Sequence, residues 1–370
     1  MGVRVGIVGL PNVGKSTLFN ALVEGSRAEV ANYPFCTIDP NIGVVEVPDE
    51  RVKILAEREG AAQAVPATVE FVDIAGLVRH ASRGEGLGNQ FLAHIREVEA
   101  LAVVLRCFED PEVVHVEGAV DPVRDLEILE VELIAKDLET VERRLSKVEK
   151  AARSGDRAAG EEYRHLEILR RILSEVEPLR KHREKIPPET LEYAFRTLFL
   201  LTLKPVLWVA NLGEGDLPEG RENPHLVRLA ERARNEGVPL IPLCAELEAQ
   251  LAELSPEERR EMLAAYGLAE PGLWRVIREA YGLLNLITFY TVNEKEARAR
   301  TLRRGATALE AAAEIHTDMA RGFIAAEVIN FEDYRALSGL SEARKKGLVR
   351  LEGRDYPVKD GDILYIRFKV

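Results

Sequence analysis

The residues with the clearest chemistry stand near the N-terminus: Gly9-Leu10-Pro11-Asn12-Val13-Gly14-Lys15-Ser16-Thr17. They fit the spacing G-x-x-x-x-G-K-[ST], which wraps a polyphosphate. Glycines let the backbone curl until several N–H groups converge on phosphate oxygens, and the N-terminus of a following helix adds a favourable dipole. Lys15 supplies a mobile positive charge to the β- and γ-phosphates, and the Ser16 hydroxyl is a ligand for Mg²⁺. The setting supports the motif. Arg4–Gly9 reads as a strand, and Leu18, Phe19 and Leu22 give the next segment an amphipathic helical pattern.

Two more segments fit a site that responds to a γ-phosphate. Asp73-Ile74-Ala75-Gly76 closes the strand candidate Thr68–Asp73 and matches D-x-x-G. The Asp73 carboxylate there holds Mg²⁺ through water, and the Gly76 N–H faces the γ-phosphate. Thr37, in Asn32–Pro40, stands where a loop threonine completes the Mg²⁺ shell when that phosphate is present. The plainer alternative for Thr37 is a loop hydroxyl bonded to its own backbone.

Leu77 follows Gly76 where many GTPases carry the glutamine that orients water, so intrinsic turnover is expected to be slow. Candidates for the missing catalytic group are His115, Arg79, His80 and Arg83, each of which also reads as an ordinary loop residue. Asn12 is a further candidate, as ligand of a K⁺ ion that would stabilise the developing charge.

The base site is expected at Asn211-Leu212-Gly213-Glu214, after the strand Pro205–Asn211. Ras-like GTPases read guanine there with N-K-x-D. Here Leu212 replaces the lysine, and Glu214 is one methylene too long to stand in for the aspartate. Losing that paired acceptor removes the discrimination for guanine. Asn211 is expected to accept from the adenine 6-amino group, with backbone groups near Leu212 reading the rest of the edge; otherwise it caps a turn. ATP is favoured over GTP.

These residues need a scaffold, and the pattern supplies one. Arg4–Gly9, Ile42–Val47, Thr68–Asp73, Leu101–Arg106, Pro205–Asn211 and Pro239–Cys244 are strand candidates separated by helical stretches. The fold class is α/β, with a mostly parallel sheet covered by helices. Between the halves, Val131, Ile134, Leu138, Val141, Leu145 and Val148 recur at helical spacing, then Leu166, Leu169, Leu173 and Val176 after the turn Ser154-Gly155-Asp156. This reads as an antiparallel coiled-coil hairpin, ~45 Å long if its first helix runs about 30 residues, and projecting as an insertion. The alternative is that the stripe lies flat on the sheet domain. From about Gly282 a small α+β module follows, with strands Leu286–Val292, Gly322–Ile329 and Asp362–Phe368 and a helix Ala306–Met319.

Composition sets outer limits. The chain has 370 residues, 46% of them hydrophobic, which fits two or three domains with proper cores. Cys36, Cys107 and Cys244 are scattered without CxxC spacing, so a reducing, cytoplasmic setting is expected. No leader pattern opens the sequence, and Lys204 and Pro205 interrupt its longest apolar run, so a soluble protein is expected. A net charge of −12 argues against non-specific binding to bare nucleic acid. Local basic clusters remain, at Arg298, Arg300, Arg303 and Arg304 and at Arg344, Lys345 and Lys346. They suit phosphate backbones or simply solubility.

The combination of Gly9–Thr17, the Tyr33–Pro40 loop, Asp73–Gly76 followed by Leu77, Gly84-Glu85-Gly86-Leu87-Gly88-Asn89 and Asn211–Glu214 resembles the Obg-like ATPase (YchF) family over essentially the whole chain. That resemblance implies a Ras-like nucleotide domain at 1–122 and 200–281, a helical coiled-coil insert at 123–199, and a ubiquitin-like β-grasp TGS domain at 282–370. It implies ATP contacts at Asn12, Val13, Gly14, Lys15, Ser16, Thr17 and Leu212, and Mg²⁺ at Ser16 and Thr37. It also implies association with the large ribosomal subunit through the insert and the TGS domain. The expectation is a monomeric, slowly hydrolysing ATP switch. The competing readings are a GTPase of translation or ribosome assembly, and a scaffold with incidental hydrolysis.

Overall fold

The structure is a computed structural model that describes residues 3–27, 41–74, 94–218 and 220–369. Thr37, Gly76, Leu77, Arg79, His80, Arg83 and Gly84–Asn89 lie outside the described residues. The chain forms two compact units, Val3–Gly43 with Glu70–Val276, and Val44–Val69 with Ile277–Val370.

The first unit is built on a sheet ordered β2 (Ile42–Glu46), β4 (Thr68–Asp73), β1 (Arg4–Val8), β5 (Ala100–Arg106), β6 (Val206–Asn211), β7 (Leu240–Leu243). The outer ends of β2 and β4 belong to the other unit's stretch of chain. β4, β1, β5, β6 and β7 pair in parallel. β2 is antiparallel to β4, since Asp73 N–H bonds Asn41 O and Val47 N–H bonds Ala67 O. β5 and β6 are buried at every residue, the reason they read as unbroken apolar runs. α1 (Lys15–Arg27) follows β1 and packs on α7 (Ala245–Glu253). α6 (Pro224–Glu236) precedes β7, and α8 (Pro256–Ala265) and α9 (Gly272–Leu283) complete the run.

Between β5 and β6, neighbours in the sheet, the chain inserts a hairpin of α3 (Pro122–Arg153) and α4 (Arg157–Ser174), then α5 (Pro188–Arg196). At 1.5 Å per residue, the 32 residues of α3 span ~48 Å. Asp121 caps α3 through the N–H groups of Val123 and Arg124, and Pro122 opens it. Ile134, Val141, Leu145 and Val148 close on Leu166, Leu169, Leu173 and Leu179 in a core of their own. Val131 and Val176 are exceptions to the expected stripe. Both are exposed, and Val176 lies past the end of α4 in a left-handed conformation. The inner part of α3 is anchored by Asp137, whose carboxylate accepts from Leu201 N–H, Thr202 N–H and the Thr202 hydroxyl.

The second unit holds a sheet ordered β11 (Arg350–Glu352), β10 (Phe323–Asn330), β12 (Asp362–Phe368), β8 (Leu286–Val292), β9 (Glu296–Arg303), β3 (Gln63–Val65). α10 (Ala308–Ile315) covers one face through Ala308, Ala311 and Ala312 against Phe289, Leu302, Val328 and Ile366. Thr307 caps it in a reciprocal box with Glu310. α11 (Thr317–Arg321), α12 (Phe331–Arg335) and α13 (Leu340–Lys345) are short connectors.

This unit departs from the expected boundaries, because residues 44–69 belong to it rather than with the rest of 1–122. α2 (Glu50–Glu59) supplies Arg51 to Asp360 at 2.7 Å and Glu59 to the Tyr334 hydroxyl at 2.8 Å, while β3 pairs in parallel with β9. β9 was legible only as a basic cluster. In fact Ala297, Ala299 and Leu302 are buried between Arg298, Arg300 and Arg303.

Candidate functional site

The phosphate loop leaves β1 at the centre of the parallel sheet, at its carboxyl edge, where ligands of such sheets bind. Close approach dictates its glycines. A Cβ on Gly9 would lie 2.7 Å from the Val104 carbonyl oxygen. Gly14 has φ +91°, and a Cβ there would fall 2.1 Å from Asn211 Nδ2. Asn12 is also left-handed, at φ 64°, and its Nδ2 donates to Val114 O at 3.1 Å. Turns of this hand aim successive N–H groups into a concave anion nest.

The first intrahelical bond of α1 is Leu18 N–H to Gly14 O at 3.0 Å. The N–H groups of Lys15, Ser16 and Thr17 precede it and have no helical partner to satisfy them. Ser16 and Thr17 are exposed, whereas the Lys15 side chain is buried and its ammonium pairs with the Asp73 carboxylate at the end of β4. Lys15 and Asp73 therefore meet at this edge, with the exposed Ser16 next to Lys15 at the start of α1. A hydroxyl and a carboxylate are the hard oxygen donors that Mg²⁺ prefers, so the residues present fit that ion. Among the described residues no group of three His, Cys, Asp or Glu side chains forms a separate metal site.

Asn211 differs from expectation. Its side chain is buried, with Nδ2 donating to Val13 O at 3.0 Å and Oδ1 accepting from Ala245 N–H at 2.9 Å. The oxygen offered to an adenine 6-amino group is already bonded to the loop after β7. Asn211 is thus a brace between that loop and the phosphate loop, and its remaining amide hydrogen is a donor, which suits ring N7 of either purine. Leu212 gives its N–H to Leu243 O at 2.8 Å, which leaves its carbonyl, an acceptor, for a base. Glu214 is exposed and accepts from Gln250 at 3.4 Å and the Tyr266 hydroxyl at 3.2 Å.

His115 also departs from its expected catalytic part. It is buried, Nε2 lies 2.8 Å from Asp125 Oδ2, and Nδ1 accepts from Glu117 N–H at 3.1 Å. An accepting Nδ1 puts the proton on Nε2, so neither nitrogen is left to take a proton from water. Burial raises the Asp125 carboxyl above its ordinary value, against the opposing bonds from His115 and Arg124. The bond fixes the loop after β5 to the start of α3.

Two braces were not singled out from sequence. Arg106 is 1% exposed, and its guanidinium donates to the carbonyls of Phe108 at 3.1 Å, Val113 at 2.9 Å and Asp110 at 3.2 Å. It thereby shapes the loop that presents Val114 to Asn12. An arginine ending an apolar strand was the available signal. Asn223 donates to Cys107 O at 2.8 Å and caps α6 through its oxygen. Its signature was Asn before Pro224 at a helix start.

Over 370 residues the chain is 49% identical to a protein of Haemophilus ducreyi called ribosome-binding ATPase YchF, with 100% of each sequence covered. The chain belongs to the YchF family. A Bacillus subtilis YchF of the same description is 46% identical, again with full coverage of both. The solved Schizosaccharomyces pombe YchF GTPase superposes with a TM-score of 0.86 at 37% identity, covering 99% of this YchF-family chain and 98% of the other. Residues 4–145 match a family model described as 50S ribosome-binding GTPase. Residues 286–369 match the C-terminal YchF GTPase model, described as a protein of unknown function (DUF933). Among the described residues no helix is long and apolar enough to cross a membrane.

Proposed function

We propose that this chain is a Mg²⁺-dependent, slowly hydrolysing ATP switch that binds the ribosome in the cytosol. The observation that carries the reading is the pairing of Lys15 with Asp73 at the edge of β1 and β4, beside a loop with left-handed residues Asn12 and Gly14 that runs into Ser16. The full-length relatives named ribosome-binding ATPases support the activity and the partner.

The N–H groups from Asn12 to Thr17 hold the triphosphate. Lys15 exchanges Asp73 for β- and γ-phosphate oxygens, which frees that carboxylate to face the metal through water. Ser16 would hold the ion directly, and Thr37, by its place in the sequence, would add a second ligand. Bound Mg²⁺ neutralises charge on the β- and γ-phosphates. By its place in D-x-x-G, Gly76 is assigned to the γ-phosphate. His115 acts as a positioning residue through Val114 and Asn12. Asn12 Oδ1 is a ligand for K⁺, so turnover should run faster in potassium than in sodium.

ATP is preferred because the carbonyl of Leu212 is an acceptor, complementary to a 6-amino group and repelled by guanine O6. The name GTPase borne by the Schizosaccharomyces pombe relative favours the second reading. Titration with fluorescent ATP and GTP, each with Mg²⁺, separates the two. ATP should bind at least tenfold tighter, and a GTP preference would overturn the assignment. Single-turnover hydrolysis with and without ribosomes tests the switch, for which ribosomes should accelerate the step. A helical insert at 123–199, a TGS module at 282–370 to which residues 44–69 contribute α2 and β3, and a monomeric state complete the proposal.

A further inference from the structure

We propose that a groove beside α3 binds an unpaired RNA strand, with cations on its phosphates and Phe199 stacked on a base. The choice of RNA rests on the ribosome-binding reading; the groove itself rests on its residues. It encloses about 280 Å³ and is lined by Arg96, Thr140, Arg143, Arg144, Lys147 and Phe199 together with Thr197 and Leu198, with no carboxylate among the lining residues. In a chain of net charge −12, four cations line this one groove, two of them, Arg143 and Arg144, paired with carboxylates outside its lining.

The helical repeat explains the stripe. Thr140, Arg143, Arg144 and Lys147 follow at three- and four-residue steps on α3, while Val141, Leu145 and Val148 turn into the hairpin core. Arg96 comes from the segment before β5 and reaches Thr140 Oγ1 at 3.3 Å. Arg143 pairs with Glu139 at 2.5 Å in an exposed i,i+4 contact, the kind that contributes little in water and yields to a phosphate. Arg144 is bonded to Glu162 at 2.6 Å. Lys147 has no ion pair or hydrogen bond among the described residues.

Phe199 adds what a phosphate site alone does not need. Its φ is 52°, a conformation that bulky L residues rarely adopt, and its side chain is 54% exposed. Leu198 and Leu200 on either side are buried. The left-handed turn therefore keeps both leucines in the core while it holds an aromatic ring at the groove. A cationic track with an exposed ring is the arrangement that binds single strands, whose bases have open faces; a duplex hides them. Several basic side chains of the second unit are already paired. Arg298 pairs with Glu296, Arg344 and Arg367 pair with Glu327, and Lys346 pairs with Glu342.

The test is fluorescence anisotropy of the full chain with a labelled ten-nucleotide oligouridylate and with an RNA duplex of that length, across a salt series. Lys147→Glu should weaken single-strand binding about tenfold and flatten the salt slope by ~0.7, the share of one neutralised phosphate. Phe199→Gly accepts the left-handed φ without strain, so it should fold at least as well. It should bind the strand about tenfold more weakly with an unchanged slope. ATP hydrolysis without ribosomes should be unaltered in both variants. Strand affinities equal to the parent's, or a duplex bound as tightly as the strand, would overturn the proposal. So would variants that lose ribosome co-sedimentation but keep the oligonucleotide, since the groove would then dock a protein. If the parent fails to sediment with ribosomes yet binds the strand through Lys147 and Phe199, the ribosome reading falls and the groove stands.

Discussion

Asn211 ties the end of β6 to the phosphate loop, its Nδ2 donating to Val13 O at 3.0 Å. Because Oδ1 takes Ala245 N–H at 2.9 Å, one side chain fixes both loops that border the proposed base site. Asn211→Ala leaves a buried carbonyl and a buried N–H unpaired, a cost of about 1–3 kcal/mol each if water does not enter. The expected outcome is a lower Tm and ATP affinity reduced at least tenfold. Asn211→Asp should be worse for ATP, since it faces Val13 O with a carboxylate. Calorimetry and nucleotide titration on the same preparations check both.

Lys15 and Asp73 form an ion pair, which on the proposed reading the triphosphate replaces. Lys15→Ala removes the charge proposed to neutralise the β- and γ-phosphates, so ATP affinity should fall by orders of magnitude and turnover should vanish. Asp73→Asn leaves Lys15 free. It should retain nucleotide affinity better than Lys15→Ala but lose the Mg²⁺ dependence of binding, read by titration with and without EDTA.

The α/β class and the phosphate loop were legible because they are local. A strand, a glycine turn and a helix start occupy successive residues, and Thr68–Asp73 and Leu286–Val292 coincide with the observed strands. What was hidden depends on distant partners. β3 exists through β9, more than two hundred residues later in the chain, and nothing in Gln63–Val65 announces it. Asn211 and His115 fitted their expected roles by residue type, but which atoms stay available depends on Ala245 and Asp125, which only the fold brings near. Val131 matched the helical spacing yet faces solvent, because a stripe repeating every 3.5 residues drifts across a straight helix of 3.6 residues per turn.

His115 offers a clean separation of roles. Glutamine keeps an Nε2–H donor for Asp125 but has no imidazole. If His115 positions the Val114 loop, His115→Gln should hold turnover within about threefold of the parent, while His115→Ala should lose far more by abandoning a buried carboxylate. Equal losses in the two variants would return catalysis to the imidazole. Single-turnover rates, with ATP affinity measured alongside, give the answer.

Glu248 and Asp137 set a pH dependence of stability. Burial raises Glu248 to about 7, against the N–H groups of Gly272 and Leu273 that it accepts at the start of α9. Burial likewise raises Asp137 to about 6, against its bonds from Thr202 and Leu201. In each case the folded state holds its proton more tightly than the unfolded chain. Their contribution is therefore fully present below the unfolded carboxyl range near 4 and is lost as pH rises through 6 and 7. For Glu248 the loss amounts to about 3 kcal/mol. Melting temperature should decline between pH 5 and pH 8, and Glu248→Gln should flatten that decline. A gain in stability over the same interval would contradict the burial of both groups, and an unchanged slope in the variant would assign the effect elsewhere.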